Sequence, residues 1–496
     1  MRNNIMRKFK ILLVILFICY FVSYPQGYDY PLDIQGVNHI NSLSASLRAA
    51  GDVSILIQND AGLLFTNPAM LYSIKNLQFS IGGLQYYSKS SQVQHYTPLK
   101  YYSNFSLLME GLTGLISDPD TSLSASNPGD TVQRPFDSIM PNWARSKNPF
   151  IPVHLIAAYP FSLFEKKFVV AAGAVNYIDL NHYYQNNNVL SPPIGSERPV
   201  PVPLPPNNPD STFKTLWSQY IRSREGSIRG YGLSLTSALS ENISIGVSGM
   251  YLDGKSNDFE QSLGRGRLVF YYNYFRLDST NFNRREIKTG TSEFKGYEFN
   301  LSGIYSGKNV SFGFAIKPPS TIKRDFNTNI LVESRDSSYS TQTVGSDEIK
   351  LPWRGAVMMS INLLHNLRLG LEYEYRPYEN MKYKKSDGNE SNPWLSASIF
   401  KAGVLYTPLS WLSLRAGMRG QAEIFEPEGN PLPGEPVRYS IYSAGFGISY
   451  ANLVFNLTYE YSAMKYQDMW QTNVNFNKEF RNSLMADLKI IINLIE

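Results

Sequence analysis

LRLGLEYEYR, residues 367–376, alternates without a break: Leu367, Leu369, Leu371, Tyr373 and Tyr375 share one face, and Arg368, Glu372, Glu374 and Arg376 share the other with Gly370. A period of two marks a β-strand with two chemically different faces. The same pattern returns where Leu453, Phe455, Leu457, Tyr459 and Tyr461 oppose Asn456, Thr458 and Glu460, and where Leu484, Ala486, Leu488, Ile490, Ile492 and Leu494 oppose Asp487, Lys489 and Asn493. It begins at Leu77, Phe79 and Ile81.

The links between such strands alternate in length. Short ones fall near 161–167, 240–241, 306–308, 364–366, 408–410 and at 451. Long ones fall near 88–150, 180–226, 254–293, 318–349, 379–394, 425–438 and 464–482. These thirteen links join fourteen strands, an even number, with the chain ending on the short-turn side. Short turns on one side and long loops on the other describe an all-β protein, a fourteen-stranded antiparallel transmembrane β-barrel in a bacterial outer membrane. A soluble sandwich or propeller also uses many short strands. Two features favour the barrel: strands of about ten to thirteen residues, near the ~9–11 that cross a bilayer at a tilt, and aromatic residues at strand ends, Tyr177, Tyr251, Tyr305, Tyr406, Trp411, Tyr450 and Tyr461, where interfacial girdles lie.

Composition agrees. Charged residues are 18% and aromatics 14%, with 34 Tyr and 27 Phe, low in charge and rich in Tyr for a soluble chain. Arg2, Arg7, Lys8 and Lys10 precede the apolar run Ile11 to Val22, which is too short for a membrane helix and built like a secretory signal. Cleavage is placed near Gly27, making 1–27 the signal peptide. Cys19 lies inside the apolar run after Ile18, a poor context for lipidation. Of the formal net charge of +5, four positive charges lie in that leader, leaving +1; no basic stripe remains to argue for nucleic acid. Cys19 is the single cysteine, so the exported chain has neither disulfide nor thiol chemistry.

A charge at the lipid midplane of a barrel costs roughly 2–4 kcal/mol. Glu372, Glu374 and Arg376 are therefore assigned to the lumen, where Arg415 and Arg419, or the segment before Leu77, can meet them. That segment, 28–75, contains GDVSILIQNDAGLLFTNPAML, residues 51–71. Asn67-Pro68-Ala69 reads as helix initiation, with Asn67 as cap and Pro68 in the first turn. The expected organisation is a segment over 28–75, then a barrel over 76–496 with long external loops, of which 180–226 carries the Pro-rich stretch 199–209.

No catalytic, cofactor or metal pattern appears. The five histidines, His39, His95, His154, His182 and His365, fall at no ligand spacing, and no G-x-S-x-G, H-E-x-x-H, phosphate loop or G-x-G-x-x-G fingerprint is present. Gly230-Tyr231-Gly232 and Gly445-Phe446-Gly447 lie inside strands, where glycines permit bending or close backbone approach.

With the leader, the Asn67-Pro68-Ala69 segment and the strand count, the chain resembles the FadL/TodX family of outer-membrane transporters. Matching pieces are Asp60-Ala61 followed by Phe65 and Asn67-Pro68-Ala69, Leu351-Pro352 continuing through Gly355, and Leu412-Ser413-Leu414-Arg415-Ala416-Gly417. The resemblance implies that 28–75 is an N-terminal plug, or hatch, in the lumen, with Phe65, Asn67, Pro68 and Ala69 shaping it. It also implies passive transport of a hydrophobic small molecule, a long-chain fatty acid or an aromatic hydrocarbon, through apolar pockets and a lateral gap, in contact with outer-membrane lipid. Met70 stands where the family usually has Gly, and the chain ends Ile495-Glu496 instead of on an aromatic residue. Some barrels of this kind, the PorV proteins, bind a protein partner within a secretion system; long external loops suit that alternative. An apolar lining along the lumen would favour transport, and an external surface holding a protein would favour the other role.

Overall fold

The computed structural model describes residues 36–96, 139–140, 142–191, 213–270, 275–278, 284–334, 336–425, 435–470 and 473–493. The leader and the Pro-rich stretch 199–209 lie outside these residues.

Fourteen antiparallel strands close into a barrel. In chain order they are β1 (Leu77–Tyr96), β2 (Trp143–Lys147 and Phe150–Leu163), β3 (Lys166–Asp179 and His182–Ser191), β4 (Phe213–Ser240), β5 (Ile243–Phe270), β6 (Arg285–Ser306) and β7 (Val310–Lys317 and Ser320–Glu333). They continue as β8 (Ser338–Leu351 and Arg354–Leu364), β9 (Leu367–Tyr375), β10 (Ile399–Leu409), β11 (Leu412–Ala422), β12 (Arg438–Tyr450), β13 (Leu453–Trp470) and β14 (Asn473–Ile492). The seam is the β1–β14 pair, in unbroken register from Leu77↔Ile492 to Tyr96↔Asn473.

The side chains sort by face as the alternation requires. On β6, Tyr297, Phe299 and Leu301 are exposed while Glu298, Asn300 and Ser302 are buried. On β9, Leu369, Leu371 and Tyr373 point outward and Glu372 inward. Exposed apolar residues continue round the wall through Phe312, Phe400, Leu414, Phe455 and Ile490. A continuous apolar belt of this extent would be a severe liability in water and is ordinary against lipid. No helix among the described residues is long and apolar enough to cross a membrane.

Two expectations are corrected. Strands run to 28 residues in β4 and β5 instead of ten to thirteen, and much of the expected long loops is paired sheet: β7 and β8 stay in register to Glu333↔Ser338, and β13 and β14 to Trp470↔Asn473. These extensions stand above the apolar belt: β8 is exposed on both faces from Ser338 to Val344, while β4 buries Thr215, Trp217 and Arg224 on one face; with no lipid to require an apolar outward side, the alternation that reveals strands is lost. Tyr177, expected in the girdle, is inward and buried, with its hydroxyl on Glu298. Of the other strand-end aromatics, Tyr305, Tyr406, Trp411, Tyr450 and Tyr461 are outward and exposed, and the half-buried Tyr251 packs 5.3 Å from the exposed Tyr297 ring.

Candidate functional site: the lumen segment and the wall around it

Residues 36–76 form a chain of short turns: helix α1 (Ala45–Ala49), then 3-10 turns Ser54–Leu56, Ala61–Leu63 and Pro68–Ser73. Helix α1 touches β11 to β14, Ser54–Leu56 touches β7 to β10, Ala61–Leu63 touches β1 and β2, and Pro68–Ser73 touches β3 to β6. Contact with strands on every side is available only on the enclosed face of a closed sheet.

Glycines in the wall make room for it. Gly370, Gly403 and Gly417 lie side by side on β9, β10 and β11. A Cβ on Gly417 would stand 2.3 Å from Gly51 N, and one on Gly403 2.1 Å from Ala50 O. Across the barrel, a Cβ on Gly246 would meet Ala69 N and Pro68 C, each at 2.5 Å. Gly445 has the same relation to the Ala49 side chain, at 2.9 Å. No outward pattern distinguishes these glycines from others in strands.

Polar anchors divide into two kinds. On the β9–β14 side they are ionic. Glu372 accepts from the Ser54 amide and hydroxyl, both at 2.9 Å, and pairs with Lys401 at 2.8 Å. Arg419 pairs with Asp52 at 3.1 Å and Glu460 at 2.6 Å, and Glu460 also takes Arg48 at 2.5 Å. Asp60 is fully buried, receives the Ser44 and Ser46 hydroxyls and the Gly62 amide, and pairs with Lys489 at 2.7 Å. Asp487 accepts from the Ala45 amide at 2.7 Å. On the β4–β6 side the anchors are neutral: Thr236 donates to Pro68 O at 2.7 Å, Ser244 donates to Ala69 O at 3.1 Å, the Ala69 amide donates to Ser302 at 2.8 Å, and Asn300 donates to Phe65 O at 2.9 Å.

The residues singled out in the sequence sit as follows. Phe65, Asn67, Pro68 and Ala69 are buried in the segment. Pro68 does open a helical turn, but Asn67 makes no side-chain cap. The wall has taken that role, because Ser302 already holds the Ala69 amide. The Asn67 side chain donates instead to Ser54 Oγ at 3.1 Å, which joins it through Ser54 to Glu372. Glu374 meets Arg376 at 2.7 Å and Lys401 at 2.9 Å. Neither glutamate pairs with Arg415 or Arg419; Arg415 donates to Asn456 at 3.0 Å. Lys401 and Asp52 were not singled out, and Asp60, Glu460 and Lys489 were quoted in the sequence patterns without a contact role. Asp52 and Asp60 gave a usable signal, as the only charged residues between Arg48 and Lys75, since a buried carboxylate needs a partner.

Above the segment lies a cavity of about 320 Å³ whose wall includes Arg48, Arg354, Lys401, Glu372, Glu460 and Tyr177. It is strongly charged, unlike the apolar pocket implied by the family resemblance. Glu298, with Arg354, Lys317 at 2.7 Å and Tyr177, closes one side. His39 bonds Glu423, His154 bonds Ser80, and His182 accepts from Arg222; among the described residues they join no cluster that could hold a metal ion.

The wall is interrupted beside this cavity. Strands β2 and β3 pair only from Leu163↔Lys166 to His154↔Val175. Above that point, among the described residues, β2 pairs with β1, and β3 pairs with β4 after a bulge between Asn176 and Ile178. His154 shares a row with Gly82 and Asp487. That row lies roughly 13 Å above Ile492 at ~3.3 Å per residue and a tilt near 40°, about half-way through a ~25 Å apolar band. The vacated inner edge of β3 is taken by the segment itself: the Asn41 amide donates to Tyr177 O at 2.8 Å, the Asp179 amide donates to His39 O at 3.0 Å, and Ile40 bridges Ile178. Higher up, among the described residues, side chains cross from β2: Lys147 to Glu225 at 2.6 Å, and Trp143 to Gln185 O at 3.0 Å.

A closed fourteen-stranded wall, a segment threaded through its lumen and a break between β2 and β3 together specify the architecture. The fold is that of the FadL/TodX-type barrels. Its fold is similar to a FadL homologue of Pseudomonas aeruginosa (11% identity, 91% of this chain and 99% of that one, TM-score 0.56). It is also similar to the toluene transporter TodX of P. putida (11%, 92% and 100%, 0.51) and to the CymD monoaromatic hydrocarbon channel (10%, 93% and 99%, 0.50). No protein-family model matches the chain, and no curated protein sequence matches it.

Proposed function

We propose that this FadL/TodX-like barrel moves a hydrophobic small molecule passively across the outer membrane, with 28–75 as a movable plug and the β2–β3 break as a lateral exit. The solved barrels that share the fold are described as hydrocarbon channels and a toluene transporter, which supports a hydrophobic cargo. The observation that carries the reading is the pairing of His39–Asn41 with the open edge of β3. The segment that fills the lumen is the same one that covers the break, so one displacement clears both. Burial of an alkyl group is worth about 0.8 kcal/mol per CH₂, enough to capture cargo without catalysis, and nothing in the reading calls for an enzyme.

The test is a reversible lock. Ile40→Cys with Ile178→Cys places two thiols across the bridge in a chain whose single natural cysteine, Cys19, lies in the leader. Uptake of radiolabelled oleate or toluene is expected to stop on oxidation and return on reduction; unchanged uptake by the oxidised form defeats the plug.

The charged cavity favours a second reading, in which the barrel holds a protein partner on its tall external hairpins. Copurification of a stoichiometric protein, with uptake indifferent to the lock, would select it.

A further inference from the structure

The outer surface above the apolar belt carries lysines of two kinds. On β5 to β8 each has an acid beside it: Lys255 with Glu293 at 2.6 Å, Lys323 with Asp325 at 3.0 Å, and Lys350 with Glu348 at 3.3 Å. Around the seam the arrangement differs. The outward row Tyr87–Asn482–Tyr461 is followed by Lys89–Phe480–Ala463 and then Ser91–Lys478–Lys465 across β1, β14 and β13. On the far side of β1, the neighbours of Lys89 and Ser91 are Ser146 and Ala144. These two rows therefore hold three lysines and no acid across four strands, and among the described residues none of the three has an ion-pair partner.

Their direction is fixed by alternation. Tyr87, Val93, Phe476, Tyr461 and Leu484 on the same face are exposed, whereas Asn477 and Ser483 are buried. The Lys478 ammonium rests 4.2 Å over the Phe480 ring, between the other two lysines. Lys465 and Lys478 are direct cross-strand partners. Like charges placed so are destabilising in isolation, and an anion between them reverses the sign. Lys478 stands fourteen positions up β14 from Ile492, roughly 36 Å at the same rise and tilt, so about 10 Å above a ~25 Å apolar belt, at headgroup depth.

We propose that Lys89, Lys465 and Lys478 form a binding site for the phosphate of an outer-leaflet lipid, seated on the barrel seam with its acyl chains along Leu484, Tyr459 and Leu488. The lipid headgroup is preferred to free phosphate because the site opens directly onto the belt, with exposed Tyr87 and Tyr461 between the lysines and the acyl region.

The test uses the full-length barrel in mild detergent, titrated with diphosphorylated lipid A, its dephosphorylated form or inorganic phosphate, and read by native mass spectrometry. The wild type is expected to retain the diphosphorylated lipid. Each such lysine is worth about fivefold, so K89Q/K465Q/K478Q is expected to weaken retention on the order of a hundredfold. K255Q/K323Q/K350Q, which alters the paired lysines, is expected to change it less than about fivefold. Heat-modifiable migration establishes that both variants are folded. Equal retention by the seam variant, equal retention of the dephosphorylated lipid, or displacement of the lipid by inorganic phosphate at equal concentration overturns the proposal.

Discussion

The two halves of the lumen segment are held by different chemistry. Residues 44–60 are bound through ions, Asp60 with Lys489, Asp52 with Arg419, and Ser54 on Glu372 with Lys401. Residues 65–69 are held by the neutral side chains of Thr236, Ser244, Asn300 and Ser302 and by the hollow at Gly246. A neutral hydrogen bond contributes about 1 kcal/mol net, while stripping one partner from a buried ion pair costs about 3–5 kcal/mol. The first half is therefore the more firmly held of the two.

The largest effect expected on this contrast comes from Lys489→Met, which leaves the Asp60 carboxylate buried without its cation. Hydrogen exchange of amides 44–60 is expected to lose protection corresponding to about 3–5 kcal/mol, and Asp60→Asn in the same chain is expected to restore most of it. Equal exchange in wild type and single variant would erase the distinction between the halves. Next, Gly417→Val drives a side chain into the main chain of Ala50 and Gly51, at about 1–3 kcal/mol. Protease access near residue 50 is the readout, and an unaltered digestion pattern would count against the glycine seat. Ser302→Ala removes one neutral bond and is expected to loosen 65–70 by about 1 kcal/mol, leaving 44–60 protected; equal loosening of both halves would show the segment moves as one piece.

The smallest effect sits at the entrance. Burial alone would lower the His39 pKa, but the Glu423 carboxylate 3.0 Å away outweighs it and holds the pKa above 6.5. Burial would likewise raise Glu423, and His39 holds it below 4.5 instead. The contribution of His39 is complete below 6.5 and lost as pH rises through its raised value; that of Glu423 is complete above 4.5 and lost as pH falls through its lowered one. The tie is therefore strongest between those two values. Exchange of the Asn41 amide, corrected for intrinsic rate, is expected to quicken from pH 6 to pH 9 in the wild type and to stay flat in His39→Gln. The same profile in both would remove His39 from the latch.

The barrel was legible because lipid enforces the alternation: Leu369, Leu371 and Tyr373 have no other solvent for which that order is required. Strand number followed from the links. Where lipid stops, the signal stops, and the upper parts of β4, β5, β7 and β8 read as loops because no outward apolar side is required there and Thr, Ser, Asn and Gln interrupt the alternation. The lumen was legible in kind and illegible in detail. Alternation assigns Glu372 to the interior, but its choice of Lys401 over Arg415 or Arg419 depends on strand register, and Asn67 lost its capping role to Ser302, more than two hundred residues away in sequence. The seats at Gly246, Gly403 and Gly417 are defined only by what lies opposite them.

The last strand has a consequence for the order of assembly. β14 closes the wall against β1 along twenty paired positions, and its inward side chains Asp487 and Lys489 also grip Ala45 and Asp60. A chain that has not yet placed β14 has both a raw sheet edge at Leu77–Tyr96 and an interior segment whose Asp60 lacks its counter-ion. Loop-closure entropy weighs against so distant a pairing. One strand thus acts as the clasp for wall and contents together, and the segment is fixed in the same event that seals the barrel.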